Sequence, residues 1–520
     1  MTKQTIRLLI ILFAVYSGIF VYSYTLNVDL MEARNFVTAR EMIQNHNWLT
    51  PTMNGELRVA KPPLPTWLTA AAMKKAHTDT DLLYNRLPAG AAGLLAAAFM
   101  FLFVRSLTGS MNTAVVSAMV LSTSYMFMFM ARKGTWDIFC HSFMLGAVWA
   151  IYEGLKREQK ARAWFISAGV LMALSWMSKG PISFYTILLP FMISLPILTG
   201  VQIYKTHWKN ILIAAGVCLV LSLLWPAYLY FKMPAGTAGV IGGEIQAWGS
   251  RHIKPFWYYI QFPIDSGIWL IPALAFFWPK YAIEKAGGKK RYFFLAAWVL
   301  LEVVLLSVIP EKKDRYLLPV AITMAIPIAM MISGFTGEGR FEKAVSRFYR
   351  YLSIAFLAAG SLAAPYCLLA YDLSKYLAAF FVVIILVLSA VIKFRIHEKM
   401  NPFTFTALCF ALLMNTAVPL ASNLSSDKDF MELISLRKKL TDSTVYSDND
   451  NMKLVWAAGR MIRVPDAETL AGLEPLKDSL YITKDPSSIA NLLDSKPFTY
   501  TPVSGTDSEV WHIYRFHRNQ

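Results

Sequence analysis

Three carboxylates and a scatter of cations are the residues of this chain that can do chemistry. Asp29 and Glu32 stand in the segment Asn27 to Trp67, NVDLMEARNFVTAREMIQNHNWLTPTMNGELRVAKPPLPTW, and Asp137 closes the run Arg132-Lys133-Gly134-Thr135-Trp136-Asp137. A positioned carboxylate can take a proton from an attacking hydroxyl. The cations are Arg34, Arg58 and Lys61 in the first segment, Lys179 in Ser178-Lys179-Gly180-Pro181, Arg251, His252 and Lys254 in GSRHIKPF, and Lys312 and Arg315 in PEKKDRY. Tyr258, Tyr259 and Tyr316 adjoin them. Lys61 is followed by Pro62-Pro63, and a cation held stiffly in this way suits a phosphate. Carboxylates in two loops, and cations in the first of these and in three others, outline a site for an anionic substrate with an acid or base beside it. Each signal also has a plain structural reading. Carboxylates favour a helix N-terminus for its dipole alone, and an acid at the end of a membrane helix can be a simple anchor.

The elements that must position these residues are membrane helices. Hydrophobic residues make up 56% of the chain and charged residues 16%, with a mean hydropathy of +0.43, outside the range of soluble domains. Apolar runs of about 17–25 residues satisfy their backbone in lipid only as helices. About thirteen are legible on that criterion, near 8–25, 87–104, 112–131, 138–155, 163–178, 181–200, 211–231, 257–278, 292–309, 316–334, 351–371, 377–393 and 403–421. The chain therefore reads as an all-α polytopic membrane protein. The first run is too long for a cleaved signal peptide and lacks a small-residue cleavage site, so it reads as a retained anchor.

Net charge is +17, but this is not the footprint of a nucleic-acid binder. The clusters fall between spans: Lys156, Arg157, Lys160 and Arg162; Lys280, Lys285, Lys289, Lys290 and Arg291; Arg340, Lys343, Arg347 and Arg350; Lys393, Arg395 and Lys399. With Lys3 and Arg7 before the first span, an odd number of crossings puts every cluster inside, as the positive-inside rule demands. The same parity puts the first loop, 26–86, outside, together with the other candidate loops and the C-terminal tail. Cys140, Cys218, Cys367 and Cys409 fall within spans and show neither metal spacing nor a disulfide framework. No repeat of 20–50 residues is visible.

Two domains are expected. Residues 1–421 form the membrane part, and 422–520 form a small extracytoplasmic α/β domain. In the latter, Leu454 to Trp456, Leu480 to Thr483, Tyr500 to Val503 and Val510 to Phe516 read as strands, and Ser488 to Leu493 as helical. In the first loop, Met31 to Asn45 reads as a helix lying flat on the bilayer. Phe36, Ala39 and Ile43 make its apolar stripe, and Arg34, Thr38, Glu41 and Asn45 its polar one.

The segment MEARNFVTAREM…NWLTPTMNGELRVAKPPLPTW resembles the first outer loop of the bacterial lipid A aminoarabinose transferase and protein O-mannosyltransferase superfamily. The later TWD, SKGP, KPFWYY and KKDRYLLP segments are similar to further outer-loop patterns of that superfamily, in the same order. The resemblance implies a GT-C glycosyltransferase that moves a sugar from a polyprenyl-phosphate donor to an acceptor outside the bacterial cytoplasmic membrane. It matches Glu32 and Arg34 to the family's acidic motif, Asp137 to the acid of the second outer loop, and Lys61 to the donor-phosphate lysine. Arg58 occupies a nearby donor-side place, and Arg251, His252, Lys254, Lys312 and Tyr316 match phosphate partners. Met31 stands where the family has Asp, and Ala60 where it often has Glu, so the base stays open among Asp29, Glu32 and Asp137.

The implied reaction is a single displacement with inversion, the lipid phosphate leaving as an anion and cations stabilising it. The acceptor is lipid A, a protein or another envelope glycan. No cofactor is demanded, and a divalent ion between carboxylates is compatible without any spacing that requires one. A lipid-linked sugar flippase is the alternative class. It predicts internal repeats and interrupted helices, of which the sequence shows few. A non-catalytic assembly protein is the third.

Overall fold

The computed structural model describes residues 16, 20, 27–233, 252–370, 401–424, 428–437, 440, 444–465, 479–488, 498–503 and 510–518. The expected spans near 8–25 and 377–393 lie outside the described residues apart from Tyr16 and Phe20, as do Arg251 and most of the Ser488 to Leu493 stretch. The chain divides into two compact units. One holds Met1–Thr25, Ala60–Pro65 and Arg86–Ala421, the other Leu26–Val59, Thr66–Asn85 and Ser422–Gln520. One boundary falls between Ala421 and Ser422, and most of the first loop is compact with the residues after it.

The first unit is helical. Among the described residues, five helices are long and apolar enough to cross a membrane: Leu82–Thr108, Asp137–Leu155, Gln202–Lys232, Lys289–Val308 and Asp314–Ser333, the last including a short 3-10 turn. Two further spans are broken. Met111–Thr123 and Tyr125–Ala131 meet at 69°, and Phe256–Phe276 and Pro279–Lys285 at 105°. Phe184–Thr199, which opens with a π-helical turn, and Pro402–Met414 are shorter apolar helices.

The breaks correct the expectation of few interrupted helices. The run 257–278 is not one α-helix but two 3-10 turns, Phe256–Gln261 and Ile264–Trp269, followed by Leu270–Phe276. Gly267, at φ 60°, makes the kink that a side chain would resist. It lies against Tyr125, and the Trp269 indole donates to Thr123 Oγ1 at 2.8 Å. The kink at Gly267 thus faces the break at Ser124, and a polar bond spans them where backbone ladders stop. Elsewhere small residues set helix spacing: a Cβ at Gly169 would lie 2.6 Å from the Ala214 carbonyl, so Ala161–Lys179 packs closely on Gln202–Lys232. Cys140, Cys218 and Cys409 are buried free thiols.

The second unit is mixed. Helix Leu30–Gln44 starts at a capping box: Asp29 Oδ1 accepts from Met31 and Glu32 N–H, both at 2.9 Å, and Asp29 N–H donates to Glu32 Oε2 at 3.4 Å. Strands β1 (Thr52–Met53) and β2 (Glu56–Leu57) flank an Asn54-Gly55 turn with both residues at positive φ, the geometry of a tight hairpin. A five-stranded sheet has the order β4-β3-β5-β7-β6, with β3 Val445–Ser447, β4 Ile462–Arg463, β5 Leu480–Thr483, β6 Phe498–Pro502 and β7 His512–Arg518. β3 runs parallel to β4 and β5, while β7 pairs antiparallel with β5 and β6. β3 and β5 are buried throughout, as expected of a parallel centre covered on both faces.

Two expectations fail in this unit. Leu454 to Trp456 is not a strand but part of helix Met452–Ala458, capped by Asn451 and closed by Gly459 in the left-handed region. Three apolar residues carry no period, so only the caps decide. Nor is the polar stripe of Leu30–Gln44 wholly outward: Thr38 and Glu41 are buried, as are Glu32, Asn35 and Arg40, while Arg34 is half-buried and Asn45 exposed. Arg40 donates to Asp79 and to the Val455 and Trp456 carbonyls. Glu41 accepts from Thr52 Oγ1 at 2.6 Å and from Asn54 and Gly55 N–H. Protein groups, not headgroups or water, satisfy that face.

Candidate active site

In the helical unit, four of the nominated residues converge on one carboxylate. Asp137 is the first residue of helix Asp137–Leu155 and is buried. Lys179, the last residue of helix Ala161–Lys179, donates to its Oδ1. Gly180 at φ 75° ends that helix and lets the chain turn directly after the lysine. Arg315 and His141 act on the same carboxylate electrostatically. The Tyr316 ring receives the Lys179 ammonium at 5.1 Å, Lys313 at 5.8 Å and the Arg315 guanidinium at 5.8 Å. A ring face is a weak partner for each cation, and two of the three also hold a carboxylate, Lys179 that of Asp137 and Lys313 that of Glu311.

Residues 309–317 supply most of these groups and are tied to the segment beginning at His252. Lys312 N–H donates to the His252 carbonyl at 3.1 Å, and Lys254 N–H to the Pro310 carbonyl at 3.4 Å. The Lys312 ammonium is turned inward, donating to the carbonyls of Ile309 at 2.6 Å and Lys254 at 3.2 Å. Burial holds its pKa below the ordinary lysine value. Tyr258 donates to Asp314 Oδ1 at 2.5 Å, and the buried Tyr259 hydroxyl meets both the N–H and the carbonyl of Lys313. Glu311 accepts from Lys313 Nζ at 2.5 Å and from the Tyr316 hydroxyl at 3.4 Å. Two lysine side chains and three tyrosine hydroxyls are thus held by protein neighbours.

The structure therefore brings Asp137, Lys179, Arg315 and Tyr316 together, and packs Lys254, Tyr258, Tyr259 and Lys312 into the adjoining loop pair. His252 contributes its backbone, while its side chain is exposed. Lys61 belongs to the same unit, in Ala60–Pro65, and is half-buried. Asp29, Glu32, Arg34 and Arg58 lie in the other unit. There Asp29 and Glu32 form the capping box, and Arg58 is half-buried, its N–H on the Pro51 carbonyl.

The sequence reading did not nominate Glu311, Lys313, Asp314, His141 or Arg132. The first three stood in view within the polar run PEKKDRY. His141 is signalled by its place one helical turn after Asp137. Arg132 is buried, its guanidinium pushed down to about 10 by that burial, and its Nε meets no hydrogen-bond partner among the described residues. Among those residues, no group of three or more His, Cys, Asp or Glu is placed to hold a metal ion.

Comparison with known proteins follows the same lines. Residues 60–230 match the family model described as dolichyl-phosphate-mannose-protein mannosyltransferase. The undecaprenyl phosphate-alpha-4-amino-4-deoxy-L-arabinose arabinosyl transferase 2 of Proteus mirabilis is 24% identical over 365 residues, 64% of this chain and 61% of the relative. The chain spans about three fifths of the length of the curated relatives it matches. The fold is similar to the crystal structure of ArnT from Cupriavidus metallidurans bound to undecaprenyl phosphate, with TM-score 0.74, 15% identity and 97% of each chain covered. It is more distantly similar to the oligosaccharyltransferase of Archaeoglobus fulgidus in its apo form, with TM-score 0.53, 12% identity, 96% of this chain and 69% of that one. The chain is thus similar over residues 60–230 to the mannosyltransferase family model, over a longer stretch to the aminoarabinose transferases, and in fold to ArnT.

Proposed function

We propose that this chain is an integral-membrane glycosyltransferase that moves a sugar from a polyprenyl-phosphate donor to a lipid A-type acceptor, on the outer face of the bacterial cytoplasmic membrane. The observation that carries the reading is the cation set Lys179, Lys312, Lys313 and Arg315 gathered with Asp137 and Tyr316. The likeness in fold to a transferase crystallised with undecaprenyl phosphate supports it. The acceptor oxygen attacks the anomeric carbon as the bond to the phosphate oxygen breaks, inverting the centre. The phosphate leaves as an anion, and cations already fixed by protein neighbours stabilise its charge without reorganising. An attacking hydroxyl passes its proton to a carboxylate.

Asp137 already accepts from Lys179, which suits it to hold the cation cluster. The base stays open among Asp29, Glu32 and Asp137. An acceptor phosphate would need no base at all. The family model's own description favours a second reading, transfer to protein.

The test is turnover in proteoliposomes with polyprenyl-phosphate sugars, read by mass spectrometry of lipid A and of envelope glycoproteins, with and without the protein. Sugar appearing on lipid A supports the reading, and sugar on protein moves it to the second. Loss of donor from one leaflet with no product would replace both with a flippase.

A further inference from the structure

The segment from His252 to Trp269 is built the wrong way round for a solvated loop. Its two 3-10 turns bury Tyr259, Phe262, Ser266 and Trp269. The other face carries Phe256, Trp257, Ile260 and Ile264, exposed by 58, 68, 75 and 63% respectively. Water would favour polar side chains at those positions, and four large apolar ones side by side mark a surface meant to be covered.

Depth is fixed by what holds the buried face. His252 and Lys254 bond to the backbone of Lys312 and Pro310, Tyr258 to Asp314, and Tyr259 to the backbone of Lys313. Those partners belong to Glu311-Lys312-Lys313-Asp314-Arg315, an unbroken charged run that hydrocarbon would penalise severely. The exposed apolar face is therefore level with charges, at the membrane–water boundary and not at the midplane. It is also continuous with the lipid-facing surface of the broken span it opens, where Leu274 and Trp278 are exposed. Trp favours that boundary, and the exposed His252 and Lys254 stand at its polar end, where anionic headgroups attract cations.

We propose that Phe256, Trp257, Ile260 and Ile264 form a wedge seated in the interfacial layer of the bilayer, with Lys254 beneath anionic lipid headgroups. The wedge stands independently of the reaction. Only its consequence rests on the proposed function: it holds Tyr258 and the Lys312 loop at the depth where a lipid-borne phosphate lies.

The test is a nitroxide on Ile260→Cys, with Phe256→Cys as a second position, in the full chain in phosphatidylcholine vesicles with and without phosphatidylglycerol. The unsubstituted protein sets the background from its native cysteines. Collision with oxygen is expected to exceed collision with a water-soluble nickel chelate several-fold at both positions, and the labels should sit deeper when phosphatidylglycerol is present. Greater access to the nickel chelate at both sites would mean a solvated loop and overturn the wedge. Low access to both reagents would mean that protein, from this chain or a second copy, covers the face, which overturns it equally. Equal depth in both lipids would overturn the role given to Lys254. None of these readings requires turnover, so a failed wedge and a failed glycosyl-transfer reading remain distinguishable.

Discussion

Lys179 ends helix Ala161–Lys179 and donates to Asp137, which begins helix Asp137–Leu155, so an ammonium and a carboxylate close the gap between two helix ends. Both side chains are largely shielded from solvent, and removing one partner of such a pair typically costs about 3–5 kcal/mol because the other stays buried. Lys179→Gln and Asp137→Asn should each lower the thermal stability of the purified protein. The double variant should be little worse than the poorer single one. Additive losses in that cycle would mean that the two side chains act separately and that Asp137 has another task.

At Asp29 one substitution separates the observed helix cap from the role of base. Its carboxylate caps helix Leu30–Gln44, and Asn caps as well as Asp. Asp29→Asn should therefore keep stability within a few tenths of a kcal/mol, while Asp29→Ala should lose about 1 kcal/mol. If Asp29 is the base, both variants lose turnover by about 10²-fold or more. Full turnover in Asp29→Asn would reduce the residue to a cap and leave Glu32 as the first-loop candidate.

The helical class, the Leu30–Gln44 helix, the Asn54-Gly55 turn and β5 were legible because each rests on local signals: apolar length, a cap, a turn dipeptide, a β-branched run. The burial of Arg40 was not legible, because it depends on Asp79, Val455 and Trp456, up to 416 positions away. The broken helices were missed for a related reason. Gly267 and Ser124 interrupt their helices without changing the hydropathy of the run. Within the site, the structure brings together Asp137, Lys179, Arg315 and Tyr316, which residue types in the loops had nominated. Which charges would neutralise each other was invisible, since Lys313 pairs with Glu311 while Lys312, next to it, turns to backbone carbonyls.

Asp79 is the hinge of the second unit's packing. It accepts from Arg40 Nη1 at 3.4 Å and from Arg437 Nη1 at 2.6 Å. The same two guanidiniums donate to the Val455, Trp456 and Ala457 carbonyls, the negative end of helix Met452–Ala458. Asp79→Ala leaves two cations facing each other, and burial already disfavours the charged form of Arg40. We expect a loss of about 3–5 kcal/mol, seen as earlier protease cleavage after Ser422 while the helical unit stays resistant. Arg437→Met in the Asp79→Ala background should recover part of that loss by removing the repulsion. No recovery would show that the carbonyl contacts, not the charges, hold the unit.

Lys312 gives the site a pH dependence whose sign can be worked out. Burial lowers its folded pKa below the unfolded value. Between those two values the unfolded chain binds more protons than the folded one, so this residue's contribution makes stability rise with pH through that window. Affinity for a phosphate should run the other way, since the folded ammonium loses its charge at a lower pH than an ordinary lysine. Binding of undecaprenyl phosphate, followed by quenching of intrinsic fluorescence in vesicles, should weaken on the alkaline side before free lysine titrates. Lys312→Arg keeps its charge throughout that range and should flatten the profile even if its affinity at neutral pH is lower. An identical alkaline decline in Lys312→Arg would assign the titration to another group and remove Lys312 from contact with the phosphate.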